Sequence, residues 1–83
     1  MSETNIESLL PGVFYRKPAP DQPPYVEVGD EVVAGQTIGL VEIMKQYSEI
    51  TAPSDGTLTK FLVEDNAMLD PGAAVAILQT EEA

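Results

Sequence analysis

Lys45 is the side chain in this sequence best placed to do chemistry. With Met44 it stands between two apolar, β-like runs, Thr37 to Ile43 and Tyr47 to Ala52, that read as strands folding back on each other. A lysine at such a tip offers a primary amine, which can form an imine with a carbonyl or be acylated to an amide. In water the ammonium is protonated near neutrality and is a poor nucleophile unaided. An imine-forming lysine needs desolvation or a neighbouring cation, whereas Glu42 and Glu49 flank this one. Direct lysine catalysis is therefore disfavoured. An amine acylated by another enzyme has the opposite needs: it must stand clear of the fold, and a tight hairpin holds it there. On the residues alone, an ordinary solvated hairpin lysine remains the alternative. The other two lysines, Lys17 and Lys60, have no comparable setting.

Composition removes most other chemistry. The chain has no histidine and no cysteine, which excludes the usual general base, thiolate metal sites, disulfides and the Ser-His-Asp arrangement. Ser54-Asp55-Gly56 reads as a turn, with no histidine to activate the serine. Glu64, Asp65 and Asp70 read as solvated acids rather than a metal site, because calcium needs a denser run of oxygen ligands. The formal net charge of −10 opposes phosphate backbones and anionic lipid, so no nucleic acid or membrane partner is expected and basic protein surfaces fit better. No apolar run approaches the roughly 20 residues that span a bilayer. The start, Met1-Ser2-Glu3-Thr4-Asn5, lacks a basic leader. A cytoplasmic location is expected.

The elements that position Lys45 read as all-β. Eighty-three residues allow one small domain, and short runs of β-branched and aromatic residues alternate with Gly, Pro, Asn and Asp. Strands are expected at Gly12–Arg16, Tyr25–Val28, Glu31–Val33, Thr37–Met44, Gln46–Thr51, Gly56–Val63, Ala67–Leu69 and Ala74–Leu78. Phe14, Tyr15, Tyr25 and Phe61 are expected in the core or at its edge. The ends, residues 1–7 and 80–83, are polar and are expected to be flexible, with the folded unit at 8–79.

Sliding the chain by 37 positions sets Val26-Glu27 on Val63-Glu64, Val32 on Leu69, Gly35 on Gly72, Ile38 on Val75 and Leu40 on Ile77. Gly29 falls on Asn66, and these are the two residue types that enter a left-handed turn most readily. Two copies are too few for a solenoid, so two halves closing one compact barrel with quasi-twofold symmetry are expected. The Lys45 hairpin follows the first copy directly, whereas the second copy ends at the C-terminus. Tip and termini are therefore expected at opposite ends.

Lys17-Pro18-Ala19-Pro20-Asp21-Gln22-Pro23-Pro24 interrupts this pattern with four prolines in eight residues, which excludes it from a sheet interior. It reads as a stiff loop, either a plain connector or a finger beside the Lys45 tip.

Glu42-Ile43-Met44-Lys45 resembles the Glu-Ala-Met-Lys-Met signature of biotinyl domains, in which the lysine carries biotin as an amide. Gly12-Val13-Phe14-Tyr15-Arg16-Lys17-Pro18-Ala19-Pro20-Asp21 is similar to a stretch of bacterial biotin carboxyl carrier proteins. Tyr25 to Val32 and Leu62 to Asn66 resemble that family's two barrel repeats. The resemblance runs from about Leu9 to Leu78 and implies a flattened β-barrel, a barrel-sandwich hybrid of two four-stranded antiparallel sheets. It implies covalent biotin on Lys45, with Met44, Glu42, Ile43 and Gln46 as flanking positions read by a biotin protein ligase. The segment containing Pro18, Pro20, Asp21, Pro23 and Pro24 matches the thumb of acetyl-CoA carboxylase carriers. The implied role is a carrier without catalysis of its own, taking carboxylate at a biotin carboxylase and delivering it at a carboxyltransferase. Ile43 and Gln46 depart from the signature, where alanine and methionine are usual. The alternatives are a lipoyl carrier, which Met44 and the Phe-Tyr-Arg segment disfavour, and an unmodified interaction module of the same fold.

Overall fold

The computed structural model describes residues 2–80, all strands and connections with no helix. Eight strands follow in order: β1 (Ser2–Ser8), β2 (Gly12–Tyr15), β3 (Glu31–Val32), β4 (Thr37–Ile43), β5 (Gln46–Thr51), β6 (Gly56–Phe61), β7 (Met68–Leu69) and β8 (Ala73–Thr80). They form two four-stranded sheets, ordered β1-β8-β6-β3 and β5-β4-β2-β7, with every pairing antiparallel. The extents of 41 × 27 × 19 Å describe a flattened sandwich rather than a continuously bonded barrel.

The quasi-twofold is written in the hydrogen bonds. Gly29 N–H donates to Leu58 O at 2.7 Å, and in the other half Asn66 N–H donates to Phe14 O at 2.6 Å. Gly35 N–H donates to Ala52 O and Gly72 N–H to Ser8 O, at 2.9 and 2.7 Å. Gly29, Gly35, Asn66 and Gly72 all have positive φ, at 97, 85, 71 and 80°, as expected for the Gly29 and Asn66 mates. The symmetry maps β3 on β7 and β4 on β8, and also β1 on β5 and β2 on β6.

Core residues come in mates for the same reason. Phe14 pairs with Leu58, Val32 with Leu69, Ile38 with Val75, Val41 with Leu78 and Ile6 with Ile50, all buried. Each such side chain contributes about 1.5–3 kcal/mol of transfer free energy when fully buried, so two short half-sheets share one core. Phe61 packs against its edge, with its ring centroid 6.1 Å from that of Phe14.

Three expectations are corrected. Of the segment expected to be flexible, residues 1–7, Met1 lies outside the described residues and residues 2–7 instead form most of β1, paired with β8 from Ser2↔Thr80 to Ser8↔Ala73. Alternate side chains of β1 point inward, with Ile6 and Ser8 buried, and the Ser8 hydroxyl donates to Leu10 O at 2.7 Å. Thr80 lies within β8 rather than in a flexible tail, and residues 81–83 lie outside the described residues. Tyr25–Val28, expected as a strand, is not one. Tyr25 N–H donates to Arg16 O at 3.0 Å and Asp30 N–H to Glu27 O at 3.0 Å, closing the segment into turns. Val26 still reaches the core from this irregular backbone.

Candidate functional site

Register fixes the tip. β4 and β5 pair from Thr37↔Thr51 to Ile43↔Gln46, which leaves Met44 and Lys45 as a two-residue turn. Both have positive φ, 51° and 65°, the conformation that a type I′ hairpin demands of its central residues. This turn follows the right-handed twist of the strands but favours Asn-Gly; for other residues the left-handed conformation costs roughly 1–2 kcal/mol each. Met44, 91% exposed, and Lys45 both point into solvent.

The flanking residues divide by sheet parity. Val41 faces the core, so Ile43 shares the inner side, where its Cγ1 lies 2.9 Å from the position a Cβ on Gly12 would take. The isoleucine that departs from the biotinyl signature thus fits because residue 12 has no side chain. Gln46 begins β5 and is exposed. Glu42 faces outward and accepts a 2.8 Å hydrogen bond from the Tyr15 hydroxyl. That bond to Glu42, with smaller contributions from desolvation and nearby negative charge, raises the Tyr15 phenol above its ordinary value of 10.0. Tyr15 and Tyr47 lie with ring centroids 6.2 Å apart.

The proline segment folds over the outer face of the same sheet. Lys17, Pro18, Ala19 and Pro20 form one wall of a cleft of about 360 Å³, and Tyr15, Leu40, Tyr47, Asp65 and Asn66 form the rest. Asp21, Pro23 and Pro24 do not line it. Arg16 anchors the base of the segment: its N–H donates to Asp65 Oδ1 at 2.9 Å, its carbonyl accepts from Tyr25, and its guanidinium stacks 4.2 Å above the Phe61 ring. Asp65 therefore has a structural use, and among the described residues no group of acids is arranged to hold a metal ion.

Reasoning from sequence missed Tyr15 as the partner of Glu42. The cross-strand register Tyr15↔Leu40 and Val13↔Glu42, which makes the two diagonal neighbours, was the signal that could have found it.

The sequence matches the family model described as "biotin-requiring enzyme" over residues 4–78. It is 45% identical over 67 residues to a biotin carboxyl carrier protein of acetyl-CoA carboxylase from Streptococcus pyogenes, covering 81% of this chain and 40% of that one. It is 40% identical over 75 residues to the protein of the same name from Pyropia yezoensis, covering 90% and 48%. The chain thus spans less than half the length of these relatives. Among solved structures it is similar to the Kluyveromyces lactis urea carboxylase, with TM-score 0.77 and 26% identity over 95% of this chain and 6% of that one. The fold also recurs in a single-chain, multi-domain long-chain acyl-CoA carboxylase, with TM-score 0.76 and 20% identity over 98% and 7%. With a match that begins inside β1 and ends inside β8, the chain belongs to the biotin-requiring enzyme family of biotinyl and lipoyl domains.

Proposed function

We propose that this chain is a biotin carboxyl carrier of an acetyl-CoA carboxylase-like enzyme in the cytoplasm, with biotin held as an amide on Lys45. The observation that carries this reading is the exposed lysine on a two-residue turn, with Met44 and Glu42 in the places the biotinyl signature gives them. The site suits the group: the amine stands in solvent, within reach of a biotin protein ligase.

Biotin supplies a ureido nitrogen that takes up a carboxyl group and gives it back. The chain itself presents and positions. The β4–β5 register holds Lys45 at one place, so the attached arm sweeps a defined volume and its effective concentration at each partner's active site is high. Met44 and Glu42 present the features a ligase reads, with Ile43 and Gln46 on either side of the Met44-Lys45 turn. The partners are the ligase, a biotin carboxylase and a carboxyltransferase, and no catalytic step falls to the carrier. The thumb, with Pro18 and Pro20 on its inner wall and Asp21, Pro23 and Pro24 beyond it, limits where the arm can rest.

Intact mass spectrometry after co-expression with a biotin protein ligase tests the reading. The expected result is one biotinyl group per chain, absent in Lys45→Arg. A lipoyl-sized gain with a lipoyl ligase would reassign the cofactor, and no gain with either ligase would leave an unmodified module.

A further inference from the structure

The composition leaves few side chains that a mild oxidant can attack. The chain has no cysteine and no tryptophan, and its three methionines are Met1, Met44 and Met68. With no thiolate to react first, the thioethers are the softest nucleophiles in the molecule. Met1 lies outside the described residues. Met44 is 91% exposed, more than any other large apolar side chain among the described residues, and Met68 is 75% exposed. A thioether in solvent makes few packing contacts, so its conversion to a sulfoxide leaves the core intact. The two methionines differ in what stands beside them. Met68 is on β7, an edge strand that β2 separates from β4. Met44 shares its two-residue turn with Lys45, both at positive φ and both in solvent.

We propose that Met44 is a site of reversible oxidation by hydrogen peroxide, and that its sulfoxide switches off the acylation of Lys45. The inference rests on the biotin reading of Lys45. A lone pair on Met44 Sδ attacks one peroxide oxygen; the S–O bond forms as the O–O bond breaks, and the proton on the transferred oxygen passes to the departing hydroxide. Sulfur is oxidised by two electrons, the peroxide is reduced, and the products are the sulfoxide and water. In the return step two thiols of a sulfoxide reductase become a disulfide and the oxygen leaves as water. An active site that closes on the Lys45 amine also takes in Met44, because consecutive Cα atoms are about 3.8 Å apart. The thioether enters such a site as an apolar group. The sulfoxide brings a strong acceptor into it, and burying a polar group without a partner is unfavourable. Met68 meets the same oxidant away from the amine and serves as the internal comparison.

Biotinylation of the peroxide-treated 83-residue chain tests this. Catalase removes the excess peroxide, and tandem mass spectrometry locates the added oxygen before a biotin protein ligase is supplied. Conversion of Met44 to the sulfoxide is expected to lower the ligase kcat/KM for the carrier about tenfold, and methionine sulfoxide reductases are expected to restore it. Met68→Leu is expected to fall on oxidation by the same factor as wild type. Met44→Leu is expected to keep, after peroxide, whatever rate it had before. An unchanged rate with Met44 fully converted overturns the proposal, as does an equal fall in Met44→Leu, which would place the damage elsewhere. A Met44 that stays a thioether while Met68 is oxidised overturns it, and so does a loss that the reductases do not reverse. An untreated wild-type chain that takes no biotin would instead sink the assignment of Lys45.

Discussion

The Lys45 turn and the Ser2–Thr80 end of the β1–β8 pair occupy equivalent places in the two halves of the sandwich. The twofold carries the last pair of the β4–β5 hairpin, Ile43↔Gln46, onto Ser2↔Thr80 of the β1–β8 pair. In one half the strands are joined through two left-handed, non-glycine residues, while in the other the same pairing forms with no turn at all. The fold therefore does not need the turn's strain, and strain that the fold does not need points to what the turn presents. The thumb gives the same lesson. Gly12 maps on Gly56 but Glu31 on Met68, so the first half carries seven extra residues between its strands, and they fold over the sheet that bears Lys45.

The largest effect should come from the glycines that the twofold makes equivalent. A Cβ on Gly12 would lie 2.2 Å from Glu42 O, and one on Gly56 2.4 Å from Gln79 O. In both, a backbone oxygen of the neighbouring strand is the obstacle. Gly12→Ala and Gly56→Ala should each lower unfolding free energy by roughly 3 kcal/mol. Gly12→Ala should cost more, because φ is +145° at Gly12 and the side chain would also meet Ile43. Urea titration of both variants checks this, and a tolerated Gly56→Ala would break the equivalence of the halves.

The turn should behave in the opposite way. Replacing Met44-Lys45 by Asn-Gly supplies the residues that a type I′ turn prefers, and should stabilise the chain by roughly 1–2 kcal/mol while abolishing biotin incorporation. A melting temperature that falls instead would show that the wild-type turn holds no strain.

Much of this asymmetry was legible in the sequence. The 37-residue repeat placed Gly29 on Asn66, and the tip fell between two clear apolar runs. β1 was not legible, because Ser-Glu-Thr-Asn-Ile-Glu-Ser has a single strongly apolar residue, so alternation of burial left almost no trace in hydropathy. Its signal was relational: β8 is the mate of β4, β4 has an edge partner in β5, and Ile6 corresponds to Ile50. Tyr25–Val28 failed for the converse reason. Its composition suits a strand, but the thumb's closure at Arg16 takes up the Tyr25 N–H and the glycine turn follows at once. The outer face of the Lys45 sheet could be read only once register was known, since Tyr15 and Glu42 are 27 residues apart.

A smaller effect separates the two equivalent turns at Gly29 and Asn66. A Cβ at Gly29 would meet nothing within 4 Å, so the cost of Gly29→Ala is purely conformational, about 1–2 kcal/mol for a left-handed residue. Asn66→Gly should be stabilising by about 0.5–1 kcal/mol, because among the described residues the Asn66 side chain bonds its neighbour Asp65, at 3.2 Å and exposed. Thermal melts of the two variants give opposite signs if the turns are equivalent.

The smallest effect concerns the bond that has no counterpart across the twofold. The mates of Tyr15 and Glu42 are Thr59 and Gln79, and Thr59 donates its hydroxyl to Ile77 O instead. In the Lys45 half, the hydrogen bond to Glu42 raises the Tyr15 phenol above 10.0, so near that pH the folded chain binds its proton more tightly than the unfolded chain. The associated stability is fully present below pH 10.0 and is lost as pH rises through the folded value. Tyr15→Phe should therefore flatten the alkaline limb of the stability profile above pH 10 and leave the neutral and acid limbs parallel to wild type. Thr59→Val should leave the alkaline limb unaltered, because it removes a hydroxyl that does not titrate. Denaturation measured from pH 8 to pH 11 would set the two variants apart, and an unflattened Tyr15→Phe profile would mean that Glu42 is not held by the phenol in solution.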